Sequence, residues 1–206
     1  MEHSPVLILI AAVLTNNIVF SGFLGMCSFI ALSRRIDTAV GMGFAVTFVS
    51  TFTTALNWLI YHYVLKHGAL SGVSFLDGVN LEPFTMIVFI AVIASFVQVV
   101  ELIIQRISHS LYQALGIFLP LITVNCAILG VSLFMVIRGY GFISSVAFGF
   151  GSGLGWMLAI VLMAGLRRKM RFSKIPPGLE GIGITMITTG ILAMIFMVFN
   201  GMVRIN

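Results

Sequence analysis

Six long apolar stretches constrain this chain more than any other feature of its sequence. They cover residues 5–32, 38–65, 85–104, 116–137, 143–166 and 182–203 of the 206 residues. A helix that crosses the hydrocarbon core of a bilayer needs about 20 such residues. Only 8% of the residues are charged and 60% are hydrophobic, whereas a soluble domain carries about 25% charged residues. The sequence therefore predicts an all-α integral membrane protein with six transmembrane helices in a single membrane domain, rather than a soluble helical bundle.

The first apolar stretch differs from an ordinary span because polar residues and glycines interrupt it. These residues are Asn16, Asn17, Ser21, Gly22 and Gly25. Irregular backbone inside a membrane is tolerated only where it is buried in protein or lines a cavity. We therefore expect a broken helix here. The start of the chain lacks the positive charge and the cleavage site of a signal peptide, so we expect this segment to be retained.

The basic residues divide unevenly between the two predicted sides of the membrane. Eight fall on one side: Arg34, Arg35, Arg106, Arg167, Arg168, Lys169, Arg171 and Lys174. Three fall on the other: Lys66, Arg138 and Arg204. Because cytoplasmic loops are enriched in Lys and Arg, both termini are predicted on the periplasmic side. The basic run 167–174 is interpreted as a topology determinant that also contacts lipid head groups, and no motif supports nucleic-acid binding.

Two halves of three helices each, residues 1–105 and 106–206, suggest an internal repeat. Since three is odd, the second half must cross the membrane upside down relative to the first. Inverted repeats whose broken helices meet near the midplane are a known plan of membrane transporters. Glycines at every second position of 149–155 favour close helix packing. The alternative for these glycines is direct lining of a cofactor or an ion path.

Cys27 and Cys126 are the only cysteines of the chain, and each lies in an apolar segment near the start of one half. Buried cysteines are often inert small hydrophobic residues. A disulfide between them would gain little, because cytoplasmic access would keep it reduced. Iron and iron–sulfur centres usually take four thiolates. A metal site at these cysteines would therefore need two more thiolates from another subunit.

Glu101 is an acidic residue inside a predicted span, with Gln98 one turn earlier. An ionisable group within a span is a functional hypothesis by default. Glu101 lies only five residues before Arg106, so an ion-paired or snorkelling carboxylate is the alternative to a cation-binding one. Asn57, inside the second stretch, is expected to form a hydrogen bond between helices. No hydrolase or nucleotide-binding motif is present.

Four segments resemble the NqrE/RnfA family, and the resemblance extends nearly from end to end. They are residues 23–35, 115–130, 149–167 and 175–199. Members are integral subunits of the Na+-translocating NADH:quinone reductase or of the Rnf ferredoxin:NAD oxidoreductase. Residues 24–28 and 155–160 look more like the NqrE form, whereas Asn16 and Asn17 look like RnfA. On balance the resemblance favours NqrE, with RnfA as the alternative.

The resemblance implies a role in electron transfer across the inner membrane of a bacterium. Such a subunit pairs with a homologous six-helix subunit, NqrD-like in one complex and RnfE in the other. Cys27 and Cys126 would supply two of the four ligands of an iron centre, described as a 2Fe-2S cluster, which relays electrons between flavin-bearing and iron–sulfur subunits. Glu101 matches an acidic position of the family and is a candidate on the Na+ route. No residue is implied to catalyse a reaction by itself. A stand-alone secondary transporter and a structural anchor are the rival classes.

Overall fold

The computed structural model describes residues 4–65, 84–107, 119–174, 176 and 178–201. Every regular element in these ranges is helical, and they contain no strand. The α-helices are α1 Pro5–Val13, α2 Ile18–Gly22, α3 Met26–Leu32, α4 Ile36–Ile60, α5 Thr85–Ile107, α6 Leu119–Thr123, α7 Cys126–Ile137, α8 Phe142–Met170 and α9 Ile182–Met197. Lys66, Arg204 and residues 116–118, which entered the sequence predictions, lie outside the described ranges.

Four segments are long and apolar enough to cross a membrane. They are Ile36–Leu65, which is α4 followed by a π-helical turn, Thr85–Ile103, Pro120–Ile137 and Phe142–Met170. The last apolar stretch forms the 16-residue α9, which spans about 24 Å at 1.5 Å per residue. The first stretch forms three short helices instead of one span, in agreement with the expected interruption. Six crossings and an inverted repeat stay predictions.

The glycines of α8 let two other helices approach it closely. Gly149 and Gly153 face α4, whereas Gly151 and Gly155 face α1. A Cβ at Gly153 would lie 2.6 Å from the Cα of Thr47, and one at Gly151 would lie 2.8 Å from a carbonyl oxygen of α1. Real carbon atoms do not approach so closely, so any side chain here would push the helices apart. The contacts therefore favour the packing interpretation of the 149–155 glycines.

Polar side chains join the two halves inside the bundle. The Asn57 Nδ2 group on α4 donates a hydrogen bond to Ser132 Oγ on α7, at 2.8 Å. This bond confirms the interhelical role expected for Asn57. Trp58, the next residue of α4, donates a hydrogen bond from its Nε1 to the carbonyl oxygen of Tyr140 at 2.9 Å. Both bonds satisfy groups that would otherwise be costly to bury in an apolar interior.

Candidate metal centre between two broken helices

The first break in the chain is stabilised by Asn17, which is buried. Its Oδ1 accepts a hydrogen bond from the Val19 N–H at 3.1 Å and so caps α2. Its Nδ2 donates to the carbonyl oxygens of Val13, at 3.1 Å, and of Gly155, at 2.8 Å. The side chain therefore binds the ends of α1 and α2 to each other and to α8.

A second break follows only a few residues later, between α2 and α3. Phe23 and Gly25 both have left-handed backbone conformations, with φ of 52° and 78°. A Cβ at Gly25 would lie 2.7 Å from Trp156 Nε1 and 3.0 Å from Asn125 Oδ1. Both the positive φ and the close contacts require glycine at this position. The tight turn places the start of α3 against the second half of the chain.

The break in the second half uses the same kind of cap. Asn125 Oδ1 accepts a hydrogen bond from the Ala127 N–H at 3.0 Å, at the start of α7. The pattern Thr-x-Asn-x-x-x-x-Gly accounts for both caps, since it occurs at residues 15–22 and again at 123–130. It is a signal that could have identified the two capping asparagines.

One hydrogen bond brings the two cysteine segments together. The backbone N–H of Gly25 donates to Cys126 Sγ at 2.9 Å. Cys27 follows Gly25 by two residues, so the Cα atoms of Gly25 and Cys27 are separated by about 7 Å at most. Both cysteines are free thiols, and both are exposed on the surface of this chain. Cys126 is the first residue of α7, and Cys27 is the second residue of α3.

This arrangement fits half of a four-thiolate metal site. Hydrogen bonds to the ligand sulfurs are among the features that tune iron–sulfur centres, and helix N-termini favour negative charge nearby. Within the described ranges, no group of three or more metal-binding side chains is present. The chain thus offers two thiols on an exposed surface, where a second protein could reach them and complete a tetrahedral set.

Two buried donors next to this site have no hydrogen-bond partner within the described part of the chain. They are Asn125 Nδ2 and Trp156 Nε1. Trp156 is fully buried and contacts the Gly25 turn from α8. No pattern in the sequence indicates this contact, because Trp156 lies far from both cysteines along the chain. Leaving a buried donor unpaired costs about 1–3 kcal/mol, which makes these two groups unusual.

Glu101 lies on a different element from the cysteines. On α5, Phe89, Ile93 and Val97 are buried at intervals of four residues, and Glu101 is the next residue in that series. Its side chain is half-buried, whereas Gln98 is exposed. Residues four apart share one helix face, so Glu101 is on the face that packs against the protein rather than on the lipid-exposed face. The cation-binding role of Glu101, and its alternative of an ion-paired or snorkelling carboxylate, stay predictions.

Comparisons with known proteins match nearly the whole chain. A protein family described as "Rnf-Nqr subunit, membrane protein" matches residues 6–203. The chain is 51% identical over 201 residues to the NqrE subunit of the Na+-translocating NADH-quinone reductase of Serratia proteamaculans. It is 52% identical over 201 residues to the protein of the same name from Aeromonas hydrophila. Each alignment covers 98% of both chains.

Proposed function

The chain belongs to the Rnf-Nqr family of membrane subunits, as its resemblances predicted, and we propose that it is the NqrE subunit of a Na+-translocating NADH:quinone reductase. Relatives that carry this name are about half identical to it over 98% of its length. The protein would then belong to an oxidoreductase complex of the bacterial inner membrane without catalysing a reaction alone.

Within that complex, Cys27 and Cys126 would supply two thiolate ligands of an intramembrane iron–sulfur centre. The observation that carries this proposal is the 2.9 Å hydrogen bond from the Gly25 N–H to Cys126 Sγ, because it joins the two cysteine segments. The remaining two thiolates would come from a homologous, NqrD-like subunit. A 2Fe-2S cluster bound there would supply one-electron redox chemistry between the flavin-bearing and iron–sulfur subunits of the complex.

The residues around the cysteines would fix the geometry of this ligand set. Asn125 caps α7 and so orients its first residue, Cys126. The Gly25 turn directs an N–H group at the sulfur, and the buried ring of Trp156 packs against that turn. Ligands held rigidly by such outer contacts keep their position when the charge of a centre changes. The apolar helices around them would limit access of water.

The proposed orientation has both termini in the periplasm. Arg167 Nη1 donates to the Ile30 carbonyl at 2.9 Å and to Ser33 Oγ at 2.8 Å. These bonds support the assignment of the Arg34 and Arg167 regions to one side, which the excess of basic residues makes cytoplasmic. A reporter that is active only in the cytoplasm should work after Lys174 and remain silent after Asn206. The reverse result would show that the subunit has the opposite orientation, with both termini in the cytoplasm.

Replacing each cysteine tests the iron-ligand role. Cys27→Ala and Cys126→Ala should each remove the iron bound at this site of the purified complex and stop NADH-driven quinone reduction, because a methyl group cannot replace a thiolate ligand. Met26→Leu, beside Cys27, is the control and should retain both. Wild-type iron content and turnover in either cysteine variant would contradict the ligand role. Co-purification with the other subunits would separately test membership of the complex.

The proposed place of Glu101 on the Na+ route has its own test. Glu101→Gln keeps the size and hydrogen-bonding capacity of the side chain but removes its charge. We expect bound iron to be retained while half-saturation of quinone reduction by Na+ moves to higher concentration. Gln98→Ala, at an exposed position one turn away, should leave the Na+ titration unchanged. Identical titrations for Glu101→Gln and the wild type would end this hypothesis.

A further inference from the structure

A basic cleft lies at one end of the bundle, where the α3–α4 turn, the end of α8 and the start of α9 meet. Its volume is about 540 Å³. Among the residues that the structure describes, four cationic side chains line it, from Arg34, Arg167, Arg171 and Lys174, together with one carboxylate, that of Glu180. Four positive charges and one negative charge leave a net charge of +3 around the cavity. A cleft with this net charge attracts anions.

Neutral acceptors hold two of these guanidinium groups in place. Arg167 donates to a carbonyl oxygen and a hydroxyl oxygen of α3 and the turn after it. Arg171 Nη2 donates to the carbonyl oxygen of Arg34 at 3.2 Å. None of these bonds neutralises a charge. The guanidinium groups are therefore oriented while their positive charge remains available, which is the arrangement that arginine uses to bind phosphate.

The surroundings of the cleft favour a lipid over a soluble anion. Met170 and Ile184 form an apolar part of its wall. The adjoining helix α9 exposes large apolar side chains, among them Ile182. Phe172 is 92% exposed directly beside Arg171. An exposed aromatic ring among basic residues is typical of a segment that rests in the interface of a bilayer.

We propose that this cleft binds the phosphate head group of an anionic phospholipid, with the acyl chains running along the apolar face of α9. The phosphate would accept hydrogen bonds from Arg34, Arg171 and Lys174, which are exposed, and from Arg167, which is half-buried. Glu180 opposes this binding and limits its strength. The lipid would join the end of α8 to the start of α9, two helices that are separated in the sequence by residues 171–181.

A pair of charge-matched double variants tests the site in the intact complex. The complex is stripped of lipid in a zwitterionic detergent, and native mass spectrometry then follows the binding of added phosphatidylglycerol. Arg171→Gln with Lys174→Gln should weaken binding about 30-fold, since each basic residue near such a head group contributes about a factor of five. Arg168→Gln with Lys169→Gln removes the same charge from the same helix end but outside the cleft. It should weaken binding less than about threefold.

A third variant is expected to strengthen lipid binding instead of weakening it. Glu180→Gln removes the opposing charge of that carboxylate and should strengthen phosphatidylglycerol binding about fivefold. It serves as the test if the arginine and lysine variant does not assemble. Tightening in Glu180→Gln would support the site, and unchanged affinity would argue against it.

The remaining outcomes separate the lipid from other anions. Equal affinity for phosphatidylcholine, or equal weakening in both double variants, would overturn the proposal. Displacement of the lipid by millimolar inorganic phosphate would assign the cleft to free phosphate instead. If the Arg171 and Lys174 variant loses a subunit of the complex while its lipid binding is unchanged, an acidic protein surface occupies the cleft and the lipid assignment is wrong.

Discussion

The two cysteine-bearing segments, residues 14–32 and 119–137, reach one site by different local structures. Both contain the Thr-x-Asn cap described above, but Cys126 directly follows its capping asparagine, whereas Cys27 lies ten residues after Asn17. The first segment needs a second break, at Gly25, before its cysteine begins a helix. The two cysteines thus share a place in the first turn of a helix, but they lie at different distances from the capping asparagine.

The two capping asparagines also differ in how many of their side-chain polar atoms form hydrogen bonds. Asn17 uses both polar atoms and contacts α8, whereas Asn125 uses only Oδ1 within the described chain. The Asn17 side chain is thus held by more hydrogen bonds than the Asn125 side chain. A repeated capping motif therefore sets where a helix starts, while the surrounding contacts set how firmly it is held.

The largest effect is expected at the turn that only the first segment has. Gly25→Ala adds a Cβ within 2.7 Å of Trp156 Nε1 at a positive φ. The left-handed conformation costs about 1–2 kcal/mol and overpacking about 1–3 kcal/mol more. We expect a clear drop in the thermal unfolding midpoint of the complex, together with loss of bound iron.

The matched control separates backbone strain from crowding. Gly139 also has a positive φ, but a Cβ there would meet nothing within 4 Å. Gly139→Ala should lower the free energy of unfolding only by the cost of the left-handed conformation, about 1–2 kcal/mol. The variant should retain bound iron. Similar losses in the two variants would mean that the contact with Trp156 is unimportant.

An intermediate effect is expected from the two caps. Asn17→Ala removes a cap, worth about 1 kcal/mol, and a bond to α8, worth about 1 kcal/mol more. Asn125→Ala should lose only the cap. Unfolding of the two variants by heat or denaturant measures the difference, and Asn125→Ser, which retains a capping oxygen, should remain close to wild type. Equal losses for the two alanine variants would show that Asn125 Nδ2 gains a partner in the assembled complex.

The smallest effect concerns the glycines that close the two repeated patterns. At Gly130 a Cβ would lie 2.5 Å from Leu24 Cδ1, whereas at Gly22 it would make ordinary contacts at 3.6 Å. Because the end of a leucine side chain can shift, Gly130→Ala should destabilise by only about 1 kcal/mol. Gly22→Ala should be neutral or slightly stabilising.

A double variant tests whether crowding against Leu24 causes the loss of stability in Gly130→Ala. Adding Leu24→Ala to Gly130→Ala should give a smaller total loss than the sum of the two single losses, because the crowding is removed. Additive losses in this thermal-stability cycle would locate the cost of Gly130→Ala elsewhere, for example at Ile18 Cδ1, which lies 3.6 Å from the same position.

Much of the site could be predicted from the sequence, because the signals are local. Asn16, Asn17, Gly22 and Gly25 interrupt an apolar stretch, and helix breaks follow from such residues without knowledge of the fold. The two cysteines stand out because the chain has no others. The asymmetry of the breaks could not be predicted, since the second one depends on how closely Gly25 approaches Trp156 and Asn125.

The sequence is enough to identify an apolar, helical membrane subunit of the Rnf-Nqr family with two cysteines near helix breaks. Hydrophobic length and backbone-breaking residues act within a few turns of the chain, so they can be read directly. The folded chain adds that the Gly25 N–H meets Cys126 Sγ, that alternate glycines of α8 face different helices, and that basic residues from distant segments line one cleft. Those contacts join residues that are far apart along the chain, 101 positions for the bond to Cys126 and 137 for the bond from Arg167 to Ile30. Their geometry depends on the packing of α1, α4 and α8 together.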